Sequence, residues 1–138
     1  MGRRMIIAAA AVALVCAGTA LAGGWATVKL SSLPKGLAAG EPWVVDLTVL
    51  QHGLATQPLC CLSPTVTIRK VAVRAPSAGA PVRKTFRARP TGKIGVYRAR
   101  VVFPSAGTWR FEVWDGFTRY GGARTHTFAP VTIAPPGA

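Results

Sequence analysis

Strict alternation of apolar and polar side chains is the feature of this sequence that most restricts its fold. In the segment 97–103 every second residue is apolar, and Arg98 and Arg100 stand between these positions. The segment 109–113 repeats the pattern with Trp, Phe and Val at alternate positions. Because successive side chains of a β-strand point to opposite faces of its sheet, this period of two predicts strands with one buried face.

Similar short runs, separated by Pro and Gly, fill most of the chain after residue 23. They are WATVKL, WVVDLTVLQ, TVTIRKVAVR (with a phase slip that predicts a bulge or a bend), VRKTFRAR, GVYRARVVF, TWRFEVW and THTFAPVTI. Each run has one apolar face, and a second sheet has to cover it. The predicted fold is therefore all-β: an immunoglobulin-like antiparallel β-sandwich of about seven strands.

The N-terminal residues have the composition of a secretory signal. Arg3 and Arg4 precede an uncharged run over residues 5–22, which ends in the small residues of Ala20-Leu21-Ala22. This order predicts a helical signal peptide that is removed on export. The uncharged run is also close to the length that spans a bilayer, so a retained membrane anchor is the alternative.

The expected organisation is a signal peptide at 1–22, one immunoglobulin-like sandwich at 23–134 and a disordered tail at 135–138. The central segment has the length of a single sandwich domain. The signal predicts that the protein is secreted or lies in the extracytoplasmic cell envelope.

Three stretches carry a resemblance to a known group of proteins: GVYRARVVFPSAGTWRFEVWDG, the earlier GEPWVVDLTVLQHG and the closing HTFAPVTI. Together they resemble the YtkA-like and FixH-like small exported immunoglobulin-like domains. The resemblance implies the same fold and export. Some domains of this kind are associated with copper handling or cytochrome oxidase assembly, which makes a metal-related function an expectation of the resemblance.

The chain is strongly basic. Removing Arg3 and Arg4 from its 17 basic residues leaves 15, which exceed the four acidic residues by 11. Such a surface favours an anionic cell-envelope polymer, lipid headgroups or an acidic protein as partner. Nucleic acid is disfavoured because the protein is expected to be exported, and membrane contact is expected only through the signal segment or the basic face.

The basic residues are also clustered along the chain. From Arg69 to Arg110 there are eleven Lys or Arg and no acidic residue. Outward positions on strands expected to be neighbours predict one positive, ligand-binding sheet face. The alternative is a charged face that serves only solubility. The candidate residues for this face are Arg87, Arg89, Arg98 and Arg100.

Trp114 is a further candidate for ligand contact. It falls on the polar side of its strand, beside the turn at Asp115-Gly116, whereas Trp109 falls on the apolar side and is predicted to belong to the core.

Two adjacent cysteines, Cys60 and Cys61, need a separate explanation. Outside the reducing cytosol they are expected to form a strained vicinal disulfide, to bond between molecules, to bind a metal or to stay inert. With His52 and His126 they would offer two thiolates and two imidazoles, a set that suits copper or zinc. For each histidine, the alternative is a hydrogen-bonded structural residue.

Catalysis is not predicted, because the sequence has no Gly-x-Ser-x-Gly elbow, no His-Glu-x-x-His motif and few, scattered acids. Two hypotheses for the function follow, and a purely structural or stalk domain is a third possibility. The first is a non-catalytic binding module that needs no cofactor, and the second is an extracytoplasmic metal or redox accessory protein.

Overall fold

The computed structural model describes residues 25–58, 62–72, 81–118 and 122–137. The predicted signal peptide and the Cys60–Cys61 pair lie outside the described residues. The described parts contain ten strands and no helix. Accordingly, these parts include no helix of the length and apolar character that a bilayer crossing requires.

The strands follow one another along the chain with short connections. They are β1 (Thr27–Leu30), β2 (Pro42–Gln51), β3 (Leu54–Ala55), β4 (Thr65–Lys70), β5 (Arg83–Arg87), β6 (Arg89–Pro90), β7 (Val96–Val102), β8 (Gly107–Trp114), β9 (Thr125–Thr127) and β10 (Val131–Ile133).

The strands form two antiparallel sheets. The first sheet has the order β1-β2-β7-β6, with the short β3 also paired to β2. The second has the order β10-β8-β4-β5, with β9 also paired to β8. This division of strands matches the two sheets of an immunoglobulin-type sandwich, with β5 as an additional edge strand of the second sheet. The predicted fold class is confirmed.

Alternation along the long strands produces the core. Val45, Leu47 and Val49 of β2 are fully buried, and so are Val101 of β7 and Val113 of β8. Aromatic rings join the two sheets across this layer. The Trp43 ring of the first sheet meets Phe111 of the second edge-on at a centroid distance of 5.3 Å, and Phe103 meets Trp109 in the same manner at 5.7 Å.

The strand count exceeds seven because two predicted strands are each divided and the short β3 was not predicted. The run VRKTFRAR forms β5 in one sheet and β6 in the other, and the chain changes sheets at Ala88, which is buried and whose N–H donates to the Pro64 carbonyl. The run THTFAPVTI is interrupted near Pro130, so that β9 and β10 pair with successive parts of β8.

Of the two structures that the phase slip predicts, a bulge inside one continuous strand is wrong at residues 71 and 72, which are described and lie outside any strand; a bend after β4 stays a prediction. β4 ends at Lys70, and Val71 lies at the rim with more than a third of its surface exposed. Val82, on the apolar side of its predicted strand, is 44% exposed. Both valines lie at the end of the second sheet, where the facing sheet no longer covers them, and Val73 lies outside the described residues.

Trp109 is the largest fully buried side chain, and its indole N–H donates to the Ser105 carbonyl at 2.9 Å. We predict that Trp109→Ala lowers the free energy of unfolding by about 3–5 kcal/mol, because it leaves a cavity between the sheets. Trp25→Ala, at an exposed tryptophan, should cost about 1 kcal/mol or less. Denaturant titration of both variants measures the difference, and equal losses would contradict this account of the core.

Candidate functional site: a basic groove on the first sheet

A wide, open groove of about 1730 Å³ runs over the outer face of the first sheet. Its floor consists of the outward residues of β2 and β7, such as Val44 and Val96. Edge strand β5 of the second sheet forms one wall through Thr85 and Phe86. The two sheets therefore both contribute to this groove.

Six cationic side chains line the groove, which we call the basic groove. They come from β1, β5, β6, β7 and the loop between β6 and β7: Lys29, Arg87, Arg89, Lys93, Arg98 and Arg100. All four arginines predicted from the sequence belong to this set. Lys29 follows the same outward alternation in β1, whereas Lys93 lies in a loop and carries no periodic signal by which it could have been identified.

Register explains why the arginines converge. Arg89 of β6 stands directly opposite Arg98 of β7, and Arg98 stands directly opposite Asp46 of β2. These three residues form one lateral row across the outer face. Two like charges in directly opposed positions destabilise a sheet, so a negative charge near this row is favourable.

Asp46 supplies part of that negative charge. Arg98 donates two hydrogen bonds to it, from Nε to Oδ1 at 2.8 Å and from an Nη to Oδ2 at 3.1 Å. These hydrogen bonds hold the pKa of Asp46 below its ordinary value, and they raise the pKa of Arg98. The pair is thus ionised at neutral pH, and Asp46 is committed to Arg98.

The other acidic residues are engaged elsewhere. Glu112 lies 3.7 Å from Arg83 on the outer face of the second sheet, and a Glu41 carboxylate oxygen accepts from the Ala38 N–H. Asp115 is buried beside His126. Within the described ranges, neither Arg89 nor Arg100 forms an ion pair with any of these carboxylates. The groove thus presents an excess of positive charge.

Trp114 does not belong to this groove. Its side chain lies half-buried on the outer face of the second sheet, opposite Thr65 and Thr125. The ring packs near Gly116, so it has a structural neighbour in its own loop. The structure therefore separates Trp114 from the four arginines with which it was predicted to bind a ligand.

His52 forms a turn at one end of the sandwich. It connects β2 to β3 together with Gly53, and both residues have positive φ, 51° and 77°. A two-residue hairpin connection of this kind is the type I′ turn, whose twist matches that of the strands. The imidazole is exposed, and the turn accounts for the position of this residue. We call this end of the sandwich the His52 end.

Asp115 lies at the same end and is, like Lys93, a residue that sequence reasoning missed. Its side chain is fully buried. One oxygen accepts from the N–H groups of Phe117 at 2.9 Å and Arg124 at 3.2 Å, and the other lies 2.8 Å from His126 Nε2. The carboxylate thus closes the loop between β8 and β9. An Asp-Gly pair after a strand indicates a turn, but nothing in that signal indicates burial.

His126 is placed by this carboxylate. Its Nε2 is occupied by Asp115, so any metal contact would have to use Nδ1, as in carboxylate–histidine–metal arrangements. Cys60 and Cys61 lie outside the described residues, so their relation to His52 and His126 stays a prediction. No cluster of three or more metal-ligating side chains occurs among the residues whose positions are described.

Comparison with known proteins adds little to this geometry. No protein-family model matches the chain, and no curated protein matches its sequence significantly. Among solved structures, a superoxide reductase (neelaredoxin) from Ignicoccus hospitalis is similar at a TM-score of 0.40 and 12% identity, over 83% of this chain and 82% of that chain.

We predict that Asp115→Ala lowers the free energy of unfolding by about 3 kcal/mol, because it leaves a buried N–H group, a partly buried N–H group and an imidazole without their acceptor. Asp46→Ala is the matched control, since it removes an exposed ion pair of small net worth. Thermal or denaturant unfolding compares them. An Asp115 variant as stable as the Asp46 variant would refute a loop-closing role for the buried carboxylate.

Proposed function

We propose that this protein is a non-catalytic β-sandwich binding module of the cell envelope or the secreted fraction, and that the basic groove binds an anionic envelope polymer or an acidic protein partner. The observation that carries the proposal is the convergence of six cations from five chain segments on one groove, where the lining carboxylate, Asp46, is already committed to Arg98.

The chemistry of the lining supports an oxyanion ligand. Four of the six cations are arginines, whose planar guanidinium groups hold phosphate or carboxylate oxygens in a bidentate manner. Hydroxyl groups of Ser31 and Thr48 lie along the same groove and can donate to further oxygens. Apolar floor residues such as Val44 offer contact to the uncharged part of a polymer repeat.

An extended ligand fits the groove better than a compact one. The groove is open along the sheet, and its cations are spread from β1 to the far edge at β6. Repeated charges along a polymer can meet several of these cations at once, which increases affinity through linked contacts. Export, expected from residues 1–22, would place the groove where envelope polymers occur.

The test is binding of long-chain polyphosphate, followed by fluorescence anisotropy at several salt concentrations. Arg89→Gln with Arg100→Gln should weaken binding at least about tenfold and reduce the slope of affinity against salt, because two charge contacts are lost. Arg98 is left in place so that Asp46 keeps its partner.

A matched control lies on the other sheet. Arg69 and Arg110 are exposed and stand directly opposite each other on the outer face of the second sheet. Arg69→Gln with Arg110→Gln removes the same charge from a surface outside the groove, and it should change affinity about twofold or less. Equal losses in the two double variants would show that overall charge, and not the groove, attracts the polyanion.

A second proposed function is an extracytoplasmic metal or redox accessory protein that uses His52, Cys60, Cys61 and His126 to bind copper or zinc. The observation that favours it is the buried carboxylate on His126 Nε2, which fixes the ring in the way that carboxylates orient metal-bound histidines.

Metal analysis of untagged protein decides this second proposal. Stoichiometric copper or zinc that is lost in Cys60→Ser and in His126→Gln would support it, and Lys35→Gln is a neutral control. Protein that takes up no metal from an excess of either ion, with the same result for the variants, would end it.

A further inference from the structure

The two most exposed large apolar side chains of the described residues lie at the His52 end. Leu54 is 74% exposed and follows the β2–β3 turn, and Ile94 is 67% exposed in the loop before β7. Isolated exposed apolar residues need no explanation. Two such residues in neighbouring loops at one end of the sandwich, with Lys93 next to Ile94, do need an explanation.

Backbone contacts show that the two tips are neighbours. The Val49 N–H donates to the Gly95 carbonyl, and the Thr56 N–H donates to the Val49 carbonyl. Gly95 (φ 72°) approaches Thr56 so closely that a Cβ would lie 2.7 Å from the Thr56 carbonyl oxygen, so only glycine fits there. This contact fixes the Ile94 loop against Thr56, two residues after Leu54.

Trp25 lies at the same end of the molecule. It precedes β1, whose first residue Thr27 pairs with Leu50 near the end of β2. The Arg124 guanidinium carbon lies 3.5 Å from the centre of the Trp25 ring, and the Arg124 backbone is held by Asp115. The uncharged run 5–22 therefore leads into the fold at the end that also carries Leu54 and Ile94.

We infer that the His52 end docks on the surface of an anionic lipid bilayer, with Leu54 and Ile94 inserted at the level of the upper acyl chains. Lys93 and Arg124 then lie among the lipid phosphates, where each basic residue strengthens the attraction to the membrane. Trp25 has the amphipathic ring that is favoured at the membrane interface.

A bilayer fits this end better than a protein partner. Leu54 and Ile94 lie in separate loops, an arrangement that suits insertion into a deformable surface. Lys93 beside Ile94 and Arg124 over the Trp25 ring complement acidic headgroups. The chain also enters the fold here from its apolar N-terminal segment, so a retained segment would hold this end at the membrane.

The first experiment measures sedimentation with vesicles of phosphatidylglycerol and phosphatidylcholine in equal amounts. Leu54→Ser with Ile94→Ser should reduce the partition constant roughly tenfold, because two aliphatic side chains lose their burial in the bilayer. Leu33→Ser with Val82→Ser, two exposed apolar residues at the opposite end, is the matched control and should change it little. Vesicles of phosphatidylcholine alone should bind less than the anionic ones.

If segment 5–22 is not cleaved, it would bind every variant to vesicles and hide the effect of the substitutions. Mass spectrometry therefore determines the N-terminus of the protein, and tryptophan fluorescence provides a second measurement. Leu54→Trp should show a blue shift of emission with anionic vesicles, whereas Leu33→Trp should not. This difference reports the orientation of the sandwich at the membrane whether or not the segment is retained.

Polyphosphate affinity separates this inference from the proposed groove function. The Leu54→Ser, Ile94→Ser variant should bind polyphosphate as tightly as the wild type. Because the groove exists only in the folded protein, this result would also show that the variant is folded. Unchanged vesicle binding in this variant, equal loss in the opposite-end control, or no blue shift for Leu54→Trp would overturn docking at the His52 end. Wild-type protein that does not bind vesicles but binds another protein through Leu54 would also overturn the inference.

Discussion

Contact between the apolar faces of the two sheets is the constraint on which every other feature depends. The layer is sealed by rings that meet across it, Trp43 on Phe111 at one level and Phe103 on Trp109 at another. Burial of apolar surface is the main favourable term in folding, and these rings bury large areas of it. Polar atoms of the rings are satisfied at the margin, since the Trp43 indole N–H donates to the Ser32 hydroxyl.

The small number of acidic residues determines the character of the surface. Asp115 lies inside the fold, where it closes a loop, and Asp46 and Glu112 are each held by an arginine. Little negative charge is left to offset the many cations on the outer faces. The excess of positive charge is concentrated in the basic groove. A second row of cations, Arg83, Arg69 and Arg110, lies on the second sheet outside the groove.

The long strands were predictable from the sequence, because there a single rule, alternation, decides both structure and burial. The faces of β7 and β8 follow it at every position. The rule failed where the chain leaves a sheet. At Ala88 the alternation of VRKTFRAR continues smoothly through a change of sheet, since a small buried side chain suits a strand and a crossing equally.

The strand residues of the candidate site were predictable from the sequence, and its loop residues were not. Outward positions of Arg98 and Arg100 follow from periodicity, but Lys93 and Asp115 occupy loops, where burial depends on contacts that are distant in the chain. Asp115 owes its burial to the loop that folds over it, in which Phe117, Arg124 and His126 are its partners. No local pattern indicates such a set of partners.

The change of sheet at Ala88 has a mechanical consequence for the groove. Arg87 and Arg89 are almost adjacent in the chain, yet they stand on strands of opposite layers. A polymer lying along the groove would bridge both layers and act as a clamp on the sandwich. A ligand that binds only the folded state stabilises that state. The free energy of unfolding of the whole domain would therefore increase as the groove becomes occupied.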